Sequence, residues 1–330
     1  MRGTTFMKIA TRIAARLAKA AVVLLAILVL NFLLIHAAPG DPAVVMAGEA
    51  GATDDVFLAQ LREKFGLDQP LYMQLGKYVW DVLHLDLGFS YRQQMPVFDL
   101  LMDRLPATLL LTGSAFVVSL ILGVAAGVLA ASRVGKWSDT LISTVALLFY
   151  ATPLFWAALM GVLLFSVVLG WLPPFGYETV GSGFTGMRRA LDIAQHLVLP
   201  ALSLGLFFMA VYSRMTRASM LEVAQLDFVK TARAKGLSPG LIERRHILRN
   251  ALLPIVTLAG LQAGQLVGGA VLTETVFAWP GIGRLMFEAL TQRDYNVLLG
   301  VFFVSAAMVI VFNLVTDLIY GIVDPRIRAQ

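Results

Sequence analysis

Asp227-Phe-Val-Lys-Thr-Ala-Arg-Ala-Lys-Gly-Leu-Ser-Pro-Gly-Leu-Ile-Glu-Arg-Arg-His246, running on to Arg249-Asn-Ala-Leu-Leu-Pro254, is a polar stretch set between apolar ones. It reads as two short helices with a bend between them. Gly236 can take the left-handed conformation that ends a helix. Ser238 is a good N-cap for the second helix, and Pro239 falls at its first position, where a missing N–H costs nothing. On the first helix Phe228, Thr231, Ala232 and Lys235 recur at helical spacing, so small and apolar side chains share a face with a basic rim. The stretch is too charged for lipid and suits a protein surface.

The composition around it explains the contrast. Of 330 residues, 58% are hydrophobic and only 14% charged, and the mean hydropathy is +0.78. Soluble domains carry about 25% charge. The chain therefore reads as an all-α polytopic membrane protein. It contains no cysteine, which excludes disulfides, thiolate nucleophiles and cysteine metal sites.

Working outward, residues 1–19 form a basic N-terminus without an acid, followed by an apolar run over 20–38. The run is too long for a signal peptide and Ala38-Pro-Gly-Asp-Pro42 lacks a small-residue cleavage pattern, so it reads as a first span ending at Pro39-Gly40. Residues 39–104 hold ten acids against five bases. Within them Phe57, Leu61 and Phe65 before Gly66 predict one short amphipathic helix, and Tyr72, Gly76 and Trp80 a second. This is a small extramembranous helical unit. Each apolar run that follows suffices for one crossing, which takes about 20 residues. The predicted spans are 106–131, 140–169, 194–213, 250–273 and 296–320, making six, with the membrane domain covering 105–322 and a tail at 323–330. Pro153 interrupts the third span, but one helix ending near an interfacial Trp171 is favoured over two. Pro153 and Pro200 are candidate kinks or hinges.

Lys and Arg set the orientation. Five lie in 1–19, two in 133–139, eight in 214–249 and two in 323–330, against five in 39–104, two in 167–192 and two in 276–294. Both termini and the loop 214–249 are thus expected in the cytoplasm, and 39–104 outside. The net charge of +5 is then ordinary positive-inside bias, and nucleic acid is not an expected partner.

Catalytic signatures are missing from the sequence. The Gly-Lys pairs at Gly76-Lys77 and Gly135-Lys136 lack the rest of a phosphate loop. His36, His84, His196 and His246 have no ligand spacing and read as interfacial or capping residues rather than metal ligands. No serine sits in a nucleophile elbow. No catalytic, cofactor or metal site is expected in this chain. What the chain does carry is small-residue spacing and sparse intramembrane polarity. Gly260, Gly264 and Gly268 recur every fourth residue of the fifth span, with Gln262, Gln265 and Thr273 beside them. Tight helix packing and a polar strip along a substrate path are both open readings. Gly123 and Gly127 take the packing reading alone. Glu274 and Asp317 stand at membrane edges, where an interfacial acid is the simplest reading.

The segment Asp227-Phe-Val-Lys-Thr-Ala-Arg-Ala-Lys-Gly-Leu-Ser resembles the cytoplasmic coupling loop of ABC-transporter permeases, in particular the first permease subunit of dipeptide/oligopeptide/nickel importers. Further stretches are similar to that family in its order: His36-Ala-Ala-Pro-Gly-Asp-Pro42, Phe65-Gly-Leu-Asp-Gln-Pro-Leu71, Asp86-Leu-Gly-Phe-Ser90, Arg104-Leu-Pro-Ala-Thr108, Thr216-Arg-Ala-Ser-Met-Leu-Glu-Val223, Thr273-Glu-Thr-Val-Phe-Ala-Trp-Pro-Gly281, Arg293-Asp-Tyr295 and Asp324-Pro-Arg-Ile-Arg328.

The resemblance implies a type I ABC importer permease fold in the inner membrane. This chain would form half of a pore with a second homologous permease. Two cytoplasmic ATPases would bind ATP and Mg, and a soluble binding protein would deliver the substrate from outside, received in part by 39–104. The ATPase-coupling residues would be Asp227, Phe228, Thr231, Ala232, Arg233, Ala234, Lys235, Gly236 and Leu237. The wider permease pattern of Glu-Ala-Ala, three residues, Gly is replaced here by Lys230-Thr231-Ala232 before Gly236, as in the peptide subfamily, so no Glu makes a contact at that position. Short peptides are the favoured substrate. Nickel chelates, glutathione, opines and sugars are the family's alternatives. A secondary transporter would need midplane ionisable residues and inverted repeats, and neither is visible.

Overall fold

The computed structural model describes residues 2–37 and 68–323 together with positions 44, 56, 59 and 62. The helix predicted over 57–66, the stop at Pro39-Gly40, the side chain of Asp317 and the tail beyond Val323 lie outside the described residues. The chain divides into two compact units. One comprises Met1–Pro106 with Gly281–Val311, the other Ala107–Pro280 with Phe312–Gln330.

In the first unit, helix α1 (Arg2–Ala37) is followed by α2 (Leu71–Leu83), the helix that Tyr72, Gly76 and Trp80 predict. His36 joins them. Its Nδ1 donates to the Phe32 carbonyl at 2.8 Å, and its Nε2 lies 3.0 Å from Gln74 Oε1. His84 sits at the C-cap of α2 with Nδ1 on the Trp80 carbonyl, in the capping role expected of it. A two-residue hairpin follows, β1 (Phe89–Ser90) against β2 (Met95–Pro96), with Phe89 opposite Pro96 and Ser90 opposite Met95. Helix α3 (Val97–Ala131) begins directly after it.

Much of this unit is tied to residues far along the chain. The buried Ser90 donates to Asp294 Oδ2 at 2.5 Å, while Asp294 Oδ1 accepts the Val297 N–H at 3.1 Å. Asp294 is thus the N-cap of the last helix, satisfying a donor that the helix itself cannot. Asn296 donates to the Phe89 carbonyl. The stretch 276–294, read from sequence as an external loop, contains a helix over Ile282–Gln292 that ends on Arg293 in the left-handed conformation. Its burial of Ile282, Leu285 and Ala289 follows helical periodicity, but the run is too short and mixed to stand out in the sequence.

In the second unit α3 packs on a long helix over Gly186–Val223. A Cβ at Gly127 would lie 2.5 Å from Thr216 Cβ, one at Gly123 2.5 Å from Tyr212 Cβ, and one at Gly205 2.9 Å from Val118 Cγ1. Small residues let the two backbones meet, as expected for Gly123 and Gly127. The helix passes through Pro200 without a break. Leu204, Phe208 and Tyr212 from its middle meet Ile255, Ala259 and Leu266 in the main core.

The single span predicted over 140–169 is not one straight helix. Trp137–Ala151 and the helical stretch Leu154–Val168 meet at an angle of 106°. Pro153 lacks the N–H that would continue the first helix, and a proline disfavours helical geometry in the residue before it. Thr152 turns its side chain back onto the Leu148 carbonyl at 2.7 Å and ends that helix. The stretch then closes in a π-helical turn, Val162–Val168.

Among the described residues, four helices are individually long and apolar enough to cross a membrane: Val97–Ala131, Gly186–Val223, Pro239–Leu266 and Tyr295–Val315. The bent pair can supply a fifth, and Ala18–Leu34 of α1 is a shorter apolar stretch.

Candidate functional site

The polar stretch forms an eight-residue helix, Asp227–Ala234, hereafter the loop helix. Asp227 stands in its first turn, where a negative charge complements the helix dipole. Lys230 Nζ lies 2.8 Å from its carboxylate. Both are exposed, so the pair contributes little. The inward face is Val229 and Ala232, 0% and 5% exposed. They enter a cluster with Met220 and Val223 from the preceding long helix and Ile242, Ile247 and Ala251 from the following one. The face read from sequence is thus divided. Phe228, Thr231 and Lys235 point outward, and only Ala232 of that set is buried. Arg233 and Ala234 are also exposed.

The bend is a Schellman motif. Leu237 N–H donates to the Ala232 carbonyl at 3.4 Å and Gly236 N–H to Arg233 at 2.9 Å. Gly236 has φ +76° with open space where a Cβ would stand, so backbone conformation alone requires glycine. Leu237 packs on the same cluster, the apolar contact that accompanies this motif. Ser238 occupies the N-cap position and Pro239 the first helical position, but the serine side chain makes no capping bond. The Ser238 carbonyl instead accepts the Leu241 and Ile242 N–H groups, each at 3.1 Å.

The second predicted short helix is not separate. Pro239–Leu241 runs through a π-helical turn, Ile242–Leu248, into Arg249–Val276. The bend therefore joins the loop helix to one continuous helical path ending at Val276. Glu243 on that path meets Ser132 Oγ, at the end of α3. The preceding long helix is braced by Arg217, whose guanidinium grips Asp139 at 2.7 and 2.8 Å.

The far end of the path holds the other predicted residues. Gly260 and Gly264 are buried, whereas Gly268 faces open space. Gln262 is buried and Gln265, three residues on, is exposed. The glycine face and polar strip are thus divided between an enclosed and an open side. Thr273 and Glu274 are fully enclosed, so Glu274 is not a solvated interfacial acid. Thr108 Oγ1 donates to Glu274 Oε1 at 2.7 Å.

After Val276 the chain turns through Ala278, φ +52°. The Trp279 N–H returns to the Glu274 carbonyl at 2.8 Å. The Trp279 ring is 0% exposed. Its Nε1 donates to the Ala107 carbonyl at 2.8 Å, and Tyr177 meets it edge-on with ring centroids 4.8 Å apart. Two stretches quoted above, Arg104–Thr108 and Thr273–Gly281, are therefore in contact. Sequence reading named both and could not pair them. Asp192, also passed over, accepts Thr179 N–H and Oγ1 at 2.7 Å each, which fixes the loop before the long helix. Among the described residues, no group of three or more His, Cys, Asp or Glu is placed to hold a metal ion.

Known proteins resemble this arrangement. The family described as binding-protein-dependent transport system inner membrane component matches residues 123–329, and its N-terminal companion matches residues 9–112. The chain is 40% identical to a dipeptide transport system permease protein of Alkalihalophilus pseudofirmus, over 93% of this chain and 96% of that one. It is 42% identical to the dipeptide transport system permease protein of Escherichia coli K12, over 92% and 94%. A solved chain of the MetNI methionine ABC transporter shares the fold at 21% identity and a TM-score of 0.55, covering 68% of this chain and 96% of that one. The chain belongs to the family of binding-protein-dependent transport system inner membrane components, the membrane-spanning permeases of ABC importers.

Proposed function

We propose that this chain is one of two homologous permease subunits of an ATP-driven importer, and that its substrates are short peptides delivered by a soluble binding protein. Two cytoplasmic ATPases bind ATP and Mg, and the loop helix Asp227–Ala234 seats on one of them. The chain crosses the membrane six times, with Ala18–Leu34 and the bent pair each supplying one span. Both termini and the loop helix face the cytoplasm, in keeping with the Lys and Arg distribution.

One observation carries the coupling role. The loop helix buries only Val229 and Ala232, leaves Phe228 41% exposed, and shares one apolar cluster with the helices on both sides of it. A push on its outer face is thus delivered to the path that runs from Pro239 to Val276. That is the geometry by which nucleotide-driven closure of ATPases shifts a pore between its two states. The peptide substrate rests on the printed function of the dipeptide permease relatives. Gln265 and Gly268, on the open side of that path, are the pore-lining candidates, and the buried Gln262 takes the packing reading.

The test has two parts. Expressed with its neighbouring subunits, the chain should copurify with an ATPase, and failure to recover one would sink the importer reading. Gly236→Val should leave membrane insertion intact and abolish peptide uptake, whereas normal uptake would remove the coupling role. Calorimetry of the binding protein against dipeptides, nickel chelates, glutathione, opines and sugars separates the substrate classes.

A further inference from the structure

Helix α2, Leu71–Leu83, is apolar on two opposite faces. Its inner face lies against α1. Phe32 and Tyr78 place their ring centroids 6.2 Å apart, His36 reaches Gln74, and Val82 is buried. Burial pushes the Tyr78 phenol up to about 12. At 100° per residue, Tyr72, Met73, Trp80 and Leu83 fall on the opposite side. They are between 50% and 73% exposed. That outer face carries no acid and no arginine. Lys77 stands at its edge.

The depth of α2 follows from what it touches. The apolar stretch of α1 ends at Leu34, and its contacts with α2 fall at Phe32 and His36. On α1 itself, Leu30, Leu33 and Leu34 project outward, each just over half exposed. In a membrane-spanning permease those leucines face lipid, so α2 stands at the level where hydrocarbon gives way to headgroups. Tyr and Trp concentrate at that level, because a ring with one polar atom is satisfied there at both ends. A helix with an apolar outer face flanked by charge, here Lys77 with Asp81 one turn on, is also of the type that lies on a bilayer.

We propose that the outer face of α2 is a lipid-docking surface. It sits in the headgroup–acyl boundary, with Trp80, Leu83 and Met73 in the acyl region and Tyr72 and Lys77 toward the headgroups. The helix thereby anchors the extramembranous unit to the bilayer beside α1. A soluble protein partner would have to displace this lipid to occupy the same face.

The native chain has no cysteine, so single cysteines report cleanly. Met73→Cys, Trp80→Cys and Leu83→Cys carry nitroxide labels, with Lys77→Cys and Gln93→Cys as controls. The complete importer, its other subunits made cysteine-free, is reconstituted in nanodiscs of phosphatidylethanolamine and phosphatidylglycerol. Oxygen should relax the three outer-face labels more than a water-soluble nickel chelate does, with the order reversed at Gln93 and intermediate at Lys77. A nickel-dominated response at the outer-face positions places them in water and overturns the proposal. Exclusion of both reagents, in the importer alone or on adding the binding protein, identifies a protein interface and also overturns it. The three labels sit at separate positions along the helix, so one variant that fails to fold leaves the test intact.

Discussion

The loop helix and the long helix ending at Val276 both turn through a residue with positive φ, Gly236 at +76° and Ala278 at +52°. Their surroundings are opposite. Around Gly236 there is open space, and the bend is held by two backbone hydrogen bonds. Around Ala278 the neighbours are enclosed. Glu274 and Trp279 have no exposed surface, and their side chains are bonded to Thr108 and Ala107. One end is held by conformation and leaves its outer surface available. The other is held by side chains from distant parts of the unit and leaves none. The proposed coupling role uses both, the first as a surface that receives force and the second as an anchorage against which force can act.

Removing the anchorage should have the largest effect. Trp279→Ala deletes a fully buried ring and is expected to cost about 3–5 kcal/mol, read as a fall in the unfolding temperature of the purified complex. Trp279→Phe retains most of the ring and loses the bond to the Ala107 carbonyl, with an expected cost of about 1–3 kcal/mol. Equal losses for the two variants would mean that the hydrogen bond, not packing, holds this end.

The same division between enclosed and open backbone applies to glycines. Gly127→Ala places a methyl 2.5 Å from Thr216 Cβ, so two helices must separate, at about 1–3 kcal/mol. Gly268→Ala has nothing within 4 Å and should be neutral or gain up to about 1 kcal/mol of helix propensity. If both variants unfold alike, the open side of the Arg249–Val276 helix is covered by another chain. For Thr108 and Glu274, a double-mutant cycle of Thr108→Val with Glu274→Met, which removes the acceptor, should return a coupling of about 0.6–2 kcal/mol. A coupling near zero would show that the two groups are satisfied independently.

How much of this was legible depended on distance along the chain. The Gly236 bend and the helix at Tyr72–Trp80 are local, set by spacing and by one residue's conformational freedom, and both could be read directly. The Thr108–Glu274 and Ser90–Asp294 contacts span 166 and 204 residues. Their partners are ordinary polar residues, and nothing in a single sequence pairs them. Pro153 announced an interruption without its angle, because a missing N–H ends a helix and leaves the next direction to packing. Which apolar side chain of the loop helix turns inward is a related case. Phe228 and Val229 lie about 100° apart around the helix, and a charged eight-residue helix offers too few apolar positions to choose between them. Gly127 and Gly268 show the same limit. Both lie in four-residue glycine spacings, yet only the first meets another backbone.

The smallest expected effect is also the sharpest comparison of the two ends. An L-residue in the left-handed region costs about 1–2 kcal/mol. Gly236→Ala should therefore destabilise by about 1 kcal/mol without any clash, since no atom lies within 4 Å of the new methyl. At the other end that strain is already present in Ala278. Ala278→Gly relieves it but gives the unfolded chain about 0.4–1 kcal/mol of extra conformational freedom, so the net change should be a small gain of about 0.5–1 kcal/mol. Stability alone would then rank Gly236 as the more sensitive position by a modest margin. Uptake should rank it by a far larger one if the loop helix has the proposed coupling role, because the bend at Gly236 would then lie between the surface that receives force and the helix that carries it. A parallel loss of uptake in Ala278→Gly at undiminished stability would reverse that assignment and make the enclosed end the moving part.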